Sequence, residues 1–147
     1  MVECQTVLPP YEPSFMEELY VLAVQVFGDL DRQELVWRLT EMPNTSVQVA
    51  REAQLVSFKI GYAVARQRYY SWLGGVHAGW RRQGIALQLM ERQHDWLRAQ
   101  GYTAVETMAV PANVAMLMLN LRVGFRIIGS YQRGDDLRIT MLKELPR

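Results

Sequence analysis

The segment of residues 76–86 carries the side chains best suited to holding a charged ligand. It reads Val-His-Ala-Gly-Trp-Arg-Arg-Gln-Gly-Ile-Ala and lies between a strand-like run and a helical run. The first turn of a helix has unpaired N–H groups and a partial positive charge, so it binds phosphate directly. Gly84 lets a ligand approach the backbone, and Arg81 and Arg82 add charged donors. The segment is therefore a candidate phosphate site, and the alternative is a strand–loop–helix junction that binds no ligand. It lacks the glycine spacing of the Walker and dinucleotide loops.

The elements that position this loop start with a strand and two helices. Residues 3–8 form a candidate first strand. Apolar residues then recur at helical spacing over residues 14–27, and Ser14 with Glu17 has the spacing of a capping box. Asp31 is placed to cap a second helix that ends at Pro43.

Alternating β-branched and aromatic residues then predict three strands, over residues 46–51, 55–66 and 69–76. The helical period returns after Gly84, and Gly101 stands where a left-handed terminator belongs. On this helix His94 falls on the polar side, which predicts an exposed imidazole.

The last third predicts a strand over residues 103–110, a helix over 113–123 and a hairpin of residues 125–132 and 137–142. Asn113 caps the helix and Gly124 stops it. The helix is apolar almost all round, so we expect it to be buried. Strands and helices in this order predict a mixed sheet with helices packed on it.

Composition narrows the classes of protein. A chain of 147 residues fits one domain, and its net charge of +1 without a basic stripe argues against nucleic-acid binding. Cys4 is the only cysteine and cannot form an internal disulfide. We find no signal-peptide pattern and no apolar run long enough to span a membrane, so the cytoplasm is the expected compartment.

Two segments resemble one enzyme superfamily. Residues 81–86, Arg-Arg-Gln-Gly-Ile-Ala, fit the Gln/Arg-x-x-Gly-x-Gly/Ala pyrophosphate loop of the GNAT acetyltransferases, which use acetyl-CoA. Residues 113–120, followed by Gly124 and Phe125, resemble the family's Asn-x-x-Ala-x-x-Leu-Tyr…Gly-Phe segment. The resemblance covers residues 1–147 as a single N-acetyltransferase domain. It implies an α/β fold of the α+β type, with a mixed, mostly antiparallel sheet of about seven strands, splayed at strands 4 and 5 and flanked by about four helices.

The resemblance also implies a cofactor site. The pantetheine arm of acetyl-CoA would pair with the strand edge that includes Gly75, and the N–H of Val76 would point at the thioester oxygen. Asn113 would contact the pantetheine, and Arg122 would reach a CoA phosphate. The pyrophosphate would rest on the loop, whose residues are Arg81, Arg82, Gln83, Gly84, Ile85 and Ala86. No metal is expected.

Proton transfer is where the sequence departs from the family. Asn120 stands where relatives have a Tyr that protonates the leaving thiolate. Asn cannot titrate, so it either donates a hydrogen bond to the sulfur or satisfies nearby backbone. For the general base the candidates are Glu106, on the opposite splayed strand, and His77, at the loop entrance. For each, a structural role is the alternative.

Two further groups of side chains lie near the expected site. Tyr69, Tyr70, Trp72 and Trp80 either wall an acceptor pocket or pack the sheet. Glu17 and Glu18, on the first helix, either attract an amine or lie in solvent.

The leading hypothesis is acetyl transfer from acetyl-CoA to an amine, on a small molecule or a protein, by direct attack in a ternary complex. The alternative is a CoA-binding sensor or partner module with little turnover, and a longer acyl donor is a third reading. We expect no nucleic-acid or membrane partner, and either a monomer or a homodimer.

Overall fold

The computed structural model describes residues 1–146 as a seven-stranded sheet with four α-helices. The strands are β1 (Glu3–Val7), β2 (Ser46–Arg51), β3 (Leu55–Ala65), β4 (Arg68–Val76), β5 (Ala104–Ala109), β6 (Arg126–Arg133) and β7 (Asp136–Glu144). The helices are α1 (Pro13–Phe27), α2 (Arg32–Glu41), α3 (Ile85–Gln100) and α4 (Val114–Arg122). In the sheet the order is β1-β2-β3-β4-β5-β7-β6, and only β4 and β5 are parallel. The mixed, mostly antiparallel sheet is confirmed.

Three predicted helix ends are confirmed by their local geometry. The Asp31 carboxylate accepts from the N–H of Gln33 at 2.9 Å, and the Asn113 side chain accepts from the N–H of Met116 at 3.2 Å. Gly101 ends α3 with φ of +91°, a conformation that favours glycine. Each of these helix ends depends on residues only a few positions apart, so the sequence alone reveals it.

The prediction of a capping box at the start of α1 is wrong. The helix begins at Pro13, its preceding residue is Glu12, and no side chain caps it. Proline is pre-set for the first helical position, so Ser14 already lies inside the helix and cannot cap it. Glu17 pairs with Arg32 instead, and this links α1 to α2.

The two faces of the sheet carry separate apolar clusters. On one face α1 and α2 bury Leu22 and Leu35 against Phe58 and Ile60 of β3. A bidentate ion pair between Glu18 and Arg51, at 2.8 and 2.9 Å, joins α1 to the sheet. Its hydrogen bonds hold the pKa of the Glu18 carboxyl below the usual range.

The other face, under α3, has a polar centre between its apolar clusters. Gln48 and Gln93 are fully buried, and within residues 1–146 neither side-chain amide has a hydrogen-bond partner. Lys59 is the register partner of Gln48, and burial lowers the pKa of its ammonium to about 8.

The expectation for His94 is wrong, since this residue is only 2% exposed. Its Nδ1 lies 3.0 Å from Nζ of Lys143, and its ring packs on Phe125. Burial, with the charge of Lys143 second, lowers the pKa of the imidazole to about 2. The helical period places His94 among polar neighbours. The face of α3 that the sheet covers is wider than its apolar stripe, so it includes Gln93 and His94.

The burial predicted for α4 is also wrong. Asn120 is its one buried residue, while Val114, Met118 and Leu121 are 60%, 54% and 41% exposed. The helix precedes β6, an edge strand whose eight residues are all exposed, so this end of the molecule has little to pack on α4. Within residues 1–146 no helix is long and apolar enough to cross a bilayer.

Replacing Lys59 with Met tests the polar centre under α3. The folded pKa of about 8 lies below the ordinary 10.5, so burying the ammonium costs stability below pH 8, and stability rises between pH 8 and 10.5 as the folded protein loses its proton first. We expect K59M to raise the free energy of unfolding at neutral pH by about 2 kcal/mol and to remove that rise. Urea unfolding at neutral pH and at a pH near the upper end of this range measures both free energies of unfolding.

Q48M is the matched control, because it removes a buried polar neighbour that does not titrate. It should change stability equally at neutral and alkaline pH. A K59M protein that keeps the wild-type pH slope would contradict the assignment.

Candidate active site

The site is a gap that opens where β4 and β5 separate. Their parallel pairing runs from Arg68 with Ala104 to Ser71 with Thr107 and ends there. At that point Oγ1 of Thr107 donates to the carbonyl of Ser71 at 3.0 Å. Beyond it β4 continues to Val76 with β3 alone as its partner, so the strand presents a free edge to the gap.

A β-bulge coincides with the separation. Ile60 of β3 pairs with Leu73, whereas the next residue, Gly61, pairs with Ser71, so Trp72 is the extra residue of β4. Bulges bend a strand and increase its twist. The bend therefore turns the second half of β4 away from β5 directly after their last pair.

The free edge of β4 exposes main-chain hydrogen-bonding groups to the gap. The N–H of His77 donates to Val56 of β3 at 2.8 Å, so residue 77 faces β3 and residue 76 faces away from it. The carbonyl of Val76 accepts instead from Nε of Arg81, at 3.2 Å. By the same alternation Gly74 turns its N–H and carbonyl toward the gap.

The loop after β4 leads to an uncapped helix N-terminus. Gly84 precedes α3 with φ of +76°, and Arg82 has φ of +65°. Within residues 1–146 no side chain caps α3, and its first backbone bond runs from Gln88 to Gly84 at 3.0 Å. The N–H groups of Ile85, Ala86 and Leu87 therefore have no partner in the helix and carry its positive end. Arg81, Arg82 and Gln83 lie exposed beside them.

His77 shapes this loop through its ring. Nδ1 accepts from the N–H of Gly79 at 3.1 Å and caps a short 3₁₀ turn, Ala78–Trp80. The neutral ring then carries its proton on Nε2. A ring so held can donate from Nε2 but has no free basic nitrogen in this conformation.

Glu106 lies beside the closed part of the gap. It is the register partner of Tyr70, before the strands separate, and its carboxylate pairs with Arg68 at 2.8 Å. The side chain is 30% exposed. The ion pair holds the Glu106 carboxylate against Arg68 of β4, so this contact favours the structural role.

The residues of the second motif lie at both ends of α4. Asn113 caps the helix, and Arg122 is exposed in its last turn. The Asn120 side chain is buried, and its Nδ2 lies 3.7 Å from Sδ of Met141. The main-chain carbonyl of Asn120 accepts from the N–H of Phe125 at 3.0 Å. These contacts favour the structural role for Asn120.

The four aromatic residues that are close in sequence do not form one cluster. Tyr69 is buried in the core under α3, and Trp80 packs on the cluster around Ile85. Tyr70 and Trp72 alone share the α1 and α2 face with Tyr62 of β3. They lie beside the gap and form an aromatic wall along it.

Arg38 of α2 holds this wall in place. Its guanidinium lies 4.4 Å from the Trp72 ring centroid, donates to the Tyr62 hydroxyl at 2.9 Å and pairs with Glu34 at 2.7 Å. Nothing local in the sequence indicates this contact, because α2 and β4 are more than 25 residues apart. The i,i+4 spacing of Glu34 and Arg38 indicates only their own ion pair within α2.

The fold and the gap can be compared with known proteins. A family model described as the acetyltransferase (GNAT) family matches residues 12–125. The chain belongs to this family. Among curated protein sequences, none matches the chain. Within residues 1–146 of this GNAT protein, no group of three or more His, Cys, Asp or Glu side chains is placed to hold a metal ion.

Solved structures share the fold of this GNAT chain at low identity. The ribosomal-protein-S18-alanine N-acetyltransferase of Escherichia coli superposes with a TM-score of 0.84 at 16% identity, covering 100% of this chain and 96% of that one. Ard1 of Thermoplasma volcanium gives 0.78 at 20% identity, over 97% and 99% of the two chains. PaiA N-acetyltransferase of Thermoplasma acidophilum, solved with coenzyme A, gives 0.75 at 12% identity, over 98% and 99%.

A tight contact between α1 and the free half of β4 can be tested. A Cβ added at Gly75 would lie 2.6 Å from Cγ1 of Val26, so G75A overpacks this interface. We expect it to lower the free energy of unfolding by about 1–3 kcal/mol. Adding V26A should restore about 1 kcal/mol or more relative to the sum of the two single changes, because the methyl group that clashes is gone.

Denaturant unfolding of the four proteins in the cycle measures this coupling. The V21A change, at an exposed position of α1, is the control and should be additive with G75A. Additive effects in the G75A and V26A cycle would rule out the contact.

Proposed function

We propose that this chain transfers an acetyl group from acetyl-CoA to an amine. The observation that carries the proposal is that the free edge of β4 and the uncapped N-terminus of α3 lie at consecutive positions along the chain, joined only by residues 77–84. A molecule with an amide-containing arm and a pyrophosphate at its end matches both. CoA has this construction, and the family match supports it.

The free edge of β4 suits the pantetheine arm. Its amides would pair with the main-chain groups of Gly74 and Val76, as an added strand does. Gly74 has no side chain, so nothing at this position projects from the α3 side of the strand where a ligand would lie. Gly75, whose Cα lies on the α1 side, keeps the strand close to Val26.

The helix N-terminus suits the pyrophosphate. The free N–H groups at Ile85 and Ala86 and the exposed side chains of Arg81 and Arg82 supply neutral and charged donors within one turn. Gly84 has no atom within 4 Å of an added Cβ, so its role is conformational and leaves space for a ligand.

The N–H groups at the gap would stabilise charge on the thioester oxygen. Val76 is the sequence-based candidate for this donor, and Gly74 presents a second N–H on the same side, nearer the point where β4 and β5 meet. The amine nitrogen forms a bond to the carbonyl carbon, the carbon–sulfur bond breaks, the amine gives up a proton, and the thiolate leaves and is protonated.

The acceptor would enter from the face of α1 and α2. There Tyr70 and Trp72 offer an aromatic wall, and the ion pair of Glu106 and Arg68 lies next to it. Glu106 and His77 remain the candidates for the base, through bound water or after their present contacts break.

A specific observation favours the alternative of a CoA-binding module without turnover. Asn120 is buried against Met141, and no acidic residue occurs in β4. With Glu106 ion-paired and Nδ1 of His77 engaged, every candidate for proton transfer already has a partner. Tight CoA binding without thiol release from any acceptor would establish this reading.

The test compares two glycines at opposite ends of α3. Both Gly84 and Gly101 have positive φ, of +76° and +91°, and neither has an atom within 4 Å of an added Cβ. Alanine at either position should therefore cost a similar amount of stability, about 1 kcal/mol. Only G84A should weaken CoA binding, by about tenfold or more, because it alone alters the backbone that faces the phosphates.

Calorimetry with CoA and a thiol-release assay with acetyl-CoA and a panel of amines measure the two effects. The wild type should bind CoA and release thiol with at least one amine. Absence of CoA binding would overturn the proposal, and equal loss in G84A and G101A would overturn the assignment of the loop.

A further inference from the structure

A second groove lies at the opposite end of the sheet. It occupies about 1250 Å³ where β4 and β5 begin and β7 ends, whereas the proposed cofactor site lies at the other ends of β4 and β5. Arg98, near the C-terminus of α3, lines it. A 16-residue helix is about 24 Å long, so the groove and the loop before α3 are separate places.

Five cationic side chains from five parts of the fold meet in this basic groove. They are Arg66 in the β3–β4 turn, Arg68 on β4, Arg98 on α3, Arg126 on β6 and Lys143 on β7. The chain as a whole has a net charge of only +1, so this concentration is local. Glu144 is the one acidic residue among those that line the groove.

Three of the five cations have carboxylate partners. Arg68 pairs with Glu106 at 2.8 Å, Arg98 with Asp95 at 3.1 Å and Arg126 with Glu144 at 3.5 Å. Five cations against three carboxylates leave two positive charges.

Arg66 and Lys143 hold these two charges. Within residues 1–146 neither makes an ion pair with a carboxylate. Lys143 contacts the neutral ring of His94 at 3.0 Å, and burial followed by the charge of Arg98 lowers the pKa of its ammonium. Nε of Arg68 is buried and has no partner in the described part of the chain. A bound anion would supply the missing counter-charge and an acceptor.

We propose that the basic groove binds a small polyanion, a phosphate- or polycarboxylate-bearing molecule, through Arg66, Lys143 and the free donors of Arg68. Guanidinium groups match the geometry of phosphate and carboxylate oxygens in bidentate contacts. The groove has a volume of about 1250 Å³, the scale of a small-molecule site, and the net charge of the chain is only +1. A local positive charge in a groove of this size favours a compact ligand over a nucleic acid.

The test titrates the full chain with tripolyphosphate and, separately, with citrate at matched ionic strength. Backbone amide shifts in NMR spectra locate the binding. We expect saturable shifts of the amides of Ala104, Gly124 and Lys143 with at least one of the two anions. Comparing the shifts caused by tripolyphosphate with those caused by citrate separates phosphate from carboxylate recognition. Saturable shifts confined to Gly84 and Ile85, or none with either anion, would overturn the proposal. Because groove and loop amides are read separately, the outcome does not depend on whether the chain binds CoA.

Charge-neutral variants test which side chains bind. R66Q, at an exposed turn, should weaken binding, and R66Q combined with K143Q should weaken it about tenfold or more, because charge-assisted bonds are lost. R92Q removes an exposed arginine of α3 outside the groove and should leave the affinity within about twofold. Thermal unfolding checks that each variant folds. Wild-type affinity in R66Q and in the double variant would refute the assignment.

Discussion

The structure depends on one constraint, which is that β4 pairs with β5 over only four register positions. The last of these, Ser71 with Thr107, is followed at once by the bulge at Trp72. A buried sheet normally pairs every backbone group, so a strand that loses its partner must satisfy its free edge by other means. In this chain the unpaired groups of Gly74 and Val76 face a gap that ends at the positive N-terminus of α3. Strand separation and helix polarity thus converge on one place, and an amide-bearing, phosphate-bearing ligand satisfies both.

Charged side chains near the gap form ion pairs that hold the elements of the fold together. Glu18 holds Arg51 and the N–H of Leu55, Arg38 stacks on Trp72 while it pairs with Glu34, and Arg68 holds Glu106. Each joins a helix or a strand end to the sheet. A carboxylate held in this way already has a partner, so it would have to leave that contact before it could approach an amine. The ion pairs therefore give the gap a well-defined surface, and proton transfer in the proposed reaction would need bound water or rearranged contacts.

The sequence predicted features whose causes are local. The helix caps at Asp31 and Asn113, the terminator at Gly101 and the loop before α3 all depend on residues a few positions apart, and the order of the elements follows from periodicity. Features that depend on distant partners were missed or wrong. The bulge at Trp72 exists only in the pairing of β3 with β4, and Arg38 meets Trp72 only after α2 has packed on the sheet. His94 is polar and lies among polar helix neighbours, yet the sheet covers it, and α4 is apolar yet has little to cover it.

Both ends of the central parallel pair carry positive charge, but the charge comes from different groups. At the C-terminal ends of β4 and β5 the positive potential comes from main-chain N–H groups and a helix terminus, which need little reorganisation to bind a phosphate because they are already fixed in direction. At the N-terminal ends it comes from long side chains. Lys143 is already held by His94, whereas the exposed Arg66 would be ordered by the ligand it holds. A backbone site of the first kind is rigid and selective for shape. A side-chain site of the second kind is adaptable and depends more strongly on salt, so the two ends differ in how the same kind of anion would be recognised.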